Sequence, residues 1–340
     1  MNKTFIISGV VSLILIAILI LIIGPASILR TIDHISIEDC IILIFFSILA
    51  LFFSALSINN ALNVYNVKID LLNLLFIKII GFSANYIAPS GLLAGFIGGD
   101  AVMALILKKK KGLEFKQGFS AGLASKVVEF SVFLLFIYLG LILGFKYFYL
   151  PPEIWVFLFI AGIFIGIMTL FFLLNPIIDN RFFTKILINL SKIKFLNKII
   201  TKITSHINEL EKEMHFFFTK GVKYLLLSVF LSLLVTIILI LQIWLLVHYL
   251  GINMGFSRTL LVFSVSMLVF ALPLAPGSAG TYELSQVGLF DLLGMGSDIG
   301  LTFSLIMRII NLTIVGFSFI ILPNYGIHLF KKDNDNIEKI

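Results

Sequence analysis

The chain has 340 residues, 60% of them hydrophobic and only 13% charged, which is too apolar for a soluble domain with a polar surface. Its net charge is +7, but the cations stand beside apolar segments, where they read as membrane orientation signals rather than as a nucleic-acid footprint. A single cysteine, Cys40, excludes an intramolecular disulfide and a cysteine-built metal cluster.

The expected class is an all-α integral membrane protein, one polytopic domain over 1–340. Apolar chain from Phe5 to Ile23 follows Met1-Asn2-Lys3. It is too long for a cleaved secretory signal and more hydrophobic segments follow, so it reads as a retained first helix. Crossing about 30 Å of hydrocarbon takes about 20 apolar residues. Six stretches qualify, near 4–24, 38–58, 119–145, 153–174, 222–250 and 298–322. In the loop after the first, Asp33, His34, Glu38 and Asp39 are the nearest approach to a catalytic constellation; as a solvated helix start they are equally at home.

Two further apolar regions, 71–107 and 259–294, are broken near their centres, and tilted helix pairs or re-entrant hairpins both fit. The first break runs Asn85-Tyr86-Ile87-Ala88-Pro89-Ser90-Gly91, followed by Gly95 and Gly98-Gly99-Asp100. The second runs Leu272-Pro273-Leu274-Ala275-Pro276-Gly277-Ser278-Ala279-Gly280-Thr281-Tyr282-Glu283. Pro89, Gly91, Gly95, Pro276, Gly277 and Gly280 are expected to permit breaks and close backbone approach more than to contact a ligand. A carboxylate at membrane depth costs about 2.5 to 3.5 kcal/mol and needs a partner or water. Asp100 and Glu283 are therefore candidate site residues; Glu283 can equally satisfy backbone donors at a helix start.

The helix after each break carries a cation, Lys126 in the first half and Arg308 in the second. Lys126 and Glu129 are three apart and can neutralise each other. Arg308 has no acidic neighbour within a turn, so its partner comes from another segment or from an anionic ligand, which its planar fork suits. Asn85, Asp100, Lys126, Glu129, Glu283 and Arg308 form the candidate substrate-binding set. The histidines lack ligand spacing, and neither a metal nor a cofactor is expected.

With the N-terminus inside and each broken region returning to its side of entry, most Lys and Arg fall on the cytoplasmic side, as do both termini; Arg30, Lys146 and Arg258 fall outside. The units 38–145 and 222–322 then open to opposite sides as an inverted repeat, a pattern that points to a midplane site. Between them, 178–221 is a basic linker. Ile193, Leu196, Ile200, Ile203, Ile207, Leu210 and Met214 share one helical face, which suits a helix lying on the anionic leaflet or a short seam to another subunit.

Nucleotide-binding, zinc-protease and serine-hydrolase motifs are absent. At Pro276-Gly277 through Glu283 the chain resembles the P-G-x-x-G-x-x-E signature of the lysylphosphatidylglycerol synthase transmembrane-region family. Asn85 to Pro89 and Gly98-Gly99-Asp100 resemble earlier pieces of the pattern. Met103 and Ser125 depart from it, standing where many relatives have arginine and glutamate. The resemblance implies lipid translocation in the cell membrane, of a phospholipid or a polyprenyl-phosphate-linked headgroup. Without a soluble transferase domain after the last span, lysyl transfer is not implied. The alternatives are an intramembrane transferase using a polyprenyl-phosphate donor and a membrane assembly factor; a homo-oligomer or a separate soluble enzyme is a possible partner.

Overall fold

The computed structural model describes residues 18–24, 26, 33, 35–67, 69–87, 94–179, 181–191, 197–220, 222–271 and 276–325, and every regular element among them is helical. After a helical stretch at 18–23 come α1 (Ile37–Leu62), α2 (Leu71–Ile87), α3 (Ala94–Lys111), α4 (Phe115–Tyr147) and α5 (Pro152–Ile177). The linker holds α6 (Phe182–Ser191) and α7 (Asn197–Lys220). Then follow α8 (Val222–Tyr249), α9 (Phe256–Ala271), α10 (Thr281–Leu292) and α11 (Ser297–Ile321).

Five helical segments among the described residues are long and apolar enough to cross a membrane: Ile37–Tyr65, Phe115–Tyr147, Pro152–Ile177, Tyr224–Tyr249 and Ser297–Tyr325. They match five of the six expected spans; the other, at 4–24, lies mostly outside the described residues. The outer faces remain apolar, with Phe45, Leu135, Ile142, Phe157, Ile160 and Ile167 all exposed, as a lipid-solvated surface requires.

Each broken region is a pair of helices too short to cross alone. At 1.5 Å per residue the 17 residues of α2 and the 16 of α9 reach only about 25 Å. Within the first pair, a Cβ at Gly99 would overlap the carbonyl oxygen of Gly81, so α2 and α3 meet backbone to backbone. Residues 88–93 and 272–275, including Pro89 and Gly91, lie outside the described residues, whereas Gly95 falls within α3. Gly277 and Gly280 both have positive φ, 55° and 81°, a backbone that L side chains rarely adopt.

The long helices cross between the two halves. α1 lies against α8, α4 against α9, and α2 against α11. The α1–α8 seam carries an amide near either end. Gln242 donates to the Leu43 carbonyl at 2.8 Å and to Ser47 Oγ at 2.6 Å, and Asn60 donates to the Tyr224 carbonyl at 2.6 Å and to Ser228 Oγ at 3.1 Å. Such crossing bonds hold helices together where apolar attraction cannot, because lipid is as apolar as the helices themselves.

The linker helices dock on this bundle. Buried Glu211 of α7 accepts the Phe183 and Thr184 N–H groups at 3.0 and 3.1 Å and the Thr184 hydroxyl at 2.6 Å, capping the start of α6 from outside. α7 packs against α4, α5 and α8, with Met214, Phe217 and Phe218 buried. Of the expected apolar stripe, Ile207, Leu210 and Met214 turn inward to a cavity; Ile193 and Leu196 lie outside the described residues. Lys116 pairs with Glu209 of α7 at 3.5 Å, and Lys110 donates to the Asn324 carbonyl at 2.8 Å. The basic end of α3, the linker and the end of α11 therefore share one end of the bundle.

Candidate functional site

Seven helices, α1 to α4, α8, α9 and α11, and the second break line a cavity of about 370 Å³ that bears several charged and polar side chains. On α1 the lining residues are Ser47, Ala50, Leu51 and Ser54, and on α2 they are Lys78, Gly81, Phe82, Asn85 and Tyr86. Both series follow steps of three and four, so each is a single helical stripe. From α4 come Lys126, Glu129, Phe130 and Phe133; Asp100 enters from α3, Gly277 and Ser278 from the break, and Met307 and Asn311 from α11.

The first unit's candidates meet in this wall. Lys126 forms an ion pair with Asp100, both largely buried. Glu129, which the spacing alone allows to neutralise Lys126, accepts a hydrogen bond from Ser54 at 2.8 Å. Asn85 accepts the Gly99 N–H at 2.6 Å, fastening α2 to α3 one residue before Asp100. Gly122 of α4 permits the approach, since a Cβ there would stand 3.1 Å from Asp100 Oδ1 and 2.7 Å from the Met103 methyl.

A second buried acid–cation pair, from α10 and α11, stands behind the wall. Glu283, with no exposed surface, pairs with Arg308 and also accepts the Gly280 N–H at 2.6 Å. The two roles open to Glu283 in the sequence, cap and charge partner, are both present. Arg308 finds its partner on another helix, donates to Tyr86 OH at 3.2 Å, and reaches the Gly277 carbonyl from two nitrogens at 3.4 Å. Gly277 is needed there, because a Cβ would stand 3.1 Å from the Tyr86 ring. Lys126 lies eleven residues after Phe115, which starts α4, and Arg308 eleven after Ser297, which starts α11. Each unit thus holds an acid on the second helix of its broken pair and a cation at the same depth of its last long helix.

Lys78, Tyr86, Gln242 and Asn311 line the cavity and are not among the sequence-derived candidates. Lys78 forms no ion pair among the described residues. Its sequence signal is the stripe it shares with Gly81 and Asn85. Asp39, in the first turn of α1, is engaged in a helix cap, accepting from the Ser36 N–H at 2.9 Å and the Ser36 hydroxyl at 2.7 Å; His34 lies outside the described residues. Among the described residues, no three His, Cys, Asp or Glu stand close enough to hold a metal ion.

Five apolar spans, two broken helix pairs and a charged cavity between them define a multi-pass helical membrane protein with a polar interior site. The chain belongs to the family described as lysylphosphatidylglycerol synthase TM region, whose model matches residues 5–317. It is similar to the UPF0104 membrane protein MJ1595 of Methanocaldococcus jannaschii, 27% identical over 259 residues that cover 71% of this chain and 76% of that one. No solved structure matches.

Proposed function

We propose that the protein moves an anionic or zwitterionic lipid, or a lipid-linked headgroup, between membrane leaflets, and that the polar cavity receives the headgroup. The observation that carries this reading is the cavity's charged lining, drawn from both halves of a chain whose family is named for a lipid-modifying synthase. Lys78 offers the phosphate an uncommitted cation, whereas Lys126 and Arg308 are each matched by a buried carboxylate. Lys126 lines the cavity and meets the headgroup in company with Asp100. Arg308 and Glu283 stand one layer behind Gly277 and Tyr86, and reach a ligand when the second break shifts.

The two units 38–145 and 222–322 are read as inverted repeats. Exchanging them maps most of the packing contacts onto one another, with α4 on α9 becoming α11 on α2 and α3 on α4 becoming α10 on α11, and each ion pair onto the other, although α1 on α4 has no comparable equivalent between α8 and α11; this supports the repeat and an alternating opening to either side. The basic end of the bundle is assigned to the cytoplasm, with both termini, by its Lys and Arg content.

The test is exchange of fluorescent glycerophospholipids and a short polyprenyl phosphate in proteoliposomes. Wild-type protein should accelerate exchange of at least one lipid. Lys78→Gln and Glu283→Gln should each slow it by about tenfold or more, the effect of losing one charge-assisted hydrogen bond. Folded wild-type protein that exchanges none of these lipids would end the translocation reading.

A further inference from the structure

A second cavity, of about 420 Å³, lies between α4, α5, α6 and α7. Its wall is almost wholly hydrocarbon, from residues such as Phe119, Leu123, Met168, Phe172 and Leu210. Three polar side chains border it, and each is engaged within the chain. Thr169 donates to the Ile165 carbonyl at 2.9 Å. Asn175 donates to Glu211 at 3.4 Å and accepts the Phe182 N–H at 3.3 Å. Glu211 is taken up by the start of α6. The lining therefore has little to offer a charged ligand, and water would lack the roughly two to four partners that hold it in a cavity. An alkyl chain matches these walls.

Two lining residues identify which alkyl chain. Phe130 and Ala271 border this cavity and the polar one alike. On α4, residues 119, 123, 127 and 130 form the apolar stripe and 126, 129, 130 and 133 the adjoining polar one, so Phe130 belongs to both. Ala271 ends α9 directly before the second break. Phe164, which lines the cavity, is 45% exposed on α5, a helix long and apolar enough to cross a membrane, so the cavity borders an apolar outer surface of the bundle.

We propose that this cavity receives an acyl chain of the same lipid whose headgroup enters the polar cavity, with Phe130 as the partition around which the molecule bends. The inference rests on the headgroup reading above. It gives a transported lipid two anchors on adjoining faces of α4, and it places the end of α9, through Ala271, against both.

The test uses the full chain in nanodiscs containing phosphatidylethanolamine or phosphatidylglycerol with a diazirine at the end of one acyl chain, irradiated and mapped by mass spectrometry. Label is expected on Leu123, Met168 and Phe172. Leu123→Trp and Met168→Trp, which fill the space from two different helices, should each lower that label roughly tenfold, the change expected when about two methylenes lose burial. Ile163→Trp, on the exposed face of α5, should not. Lys78→Gln should lower it too, because headgroup and chain belong to one molecule. Label confined to the outer face of α5, or cavity label indifferent to Lys78→Gln, would overturn the proposal. Cavity label that follows this pattern in protein without leaflet exchange would support the chain site while removing the translocation reading.

Discussion

Glu283 is the most deeply buried charge of the site, and its two oxygens are divided between Arg308 and the Gly280 N–H. Removing one partner of a buried pair leaves the other uncompensated, at a cost of about 3 to 5 kcal/mol. Glu283→Ala should therefore lower the thermal midpoint of detergent-solubilised protein more than Glu129→Ala, which loses only a hydroxyl contact to Ser54. Equal midpoints for the two would mean that the Glu283–Arg308 pair contributes nothing to folding. Charges of this kind are legible in a sequence, because a carboxylate or guanidinium inside an apolar run stands out against its neighbours. Their partners are not legible: Arg308 and Glu283 are 25 residues apart, and only the packing of α10 on α11 makes them a pair. Lys78 escapes for the opposite reason, since its significance lies in which stripe of α2 faces inward.

Among the elements, the broken pairs are held by glycine as much as by hydrogen bonds. Gly99 lies so close to the Gly81 carbonyl and the Asn85 amide that a methyl group there must separate α2 from α3. Gly99→Ala should cost about 1 to 3 kcal/mol, the range for overpacking a tight contact, and slow lipid exchange with it. An unchanged thermal midpoint in that variant would show that the two helices separate freely. The linker tie is a different kind of bond. Without Glu211, two N–H groups at the start of α6 and the buried Thr184 lose their acceptor, at about 1 to 3 kcal/mol each. In Glu211→Ala, limited proteolysis should cut near 180–197 faster than in wild type, while Lys212→Ala should leave the rate unchanged; equal rates in all three would dismiss the tie. From the sequence, α7 is a clear amphipathic helix, but an apolar stripe reads alike against lipid, another subunit or the chain's own core. Ile207, Leu210 and Met214 turn to the third of these.

For the whole molecule, the five long spans were legible because about 20 uninterrupted apolar residues have few other uses. The broken regions were legible as breaks, but whether their halves pair is a matter of Gly99 against Gly81, which no periodicity reveals. Cys40 provides a direct reading of orientation. It lies near the start of α1, at the end of the bundle away from Lys110 and the linker, and is partly accessible. A membrane-impermeant maleimide should label it in intact cells, whereas a cysteine introduced at Lys110 in a Cys40→Ser background should react only after permeabilisation. The reverse pattern would invert the assigned topology.

Tyr86 belongs to the first broken region, yet its hydroxyl accepts from Arg308 and its ring covers Gly277 of the second. Two interrupted segments would ordinarily be two independent doors, each with its own chance of standing ajar. One tyrosine latched onto the opposite door's hinge removes that independence, because opening both at once forfeits the contacts that each supplies to the other. On the proposed alternating opening, that coupling would deny protons and small ions a continuous aqueous thread through the bundle.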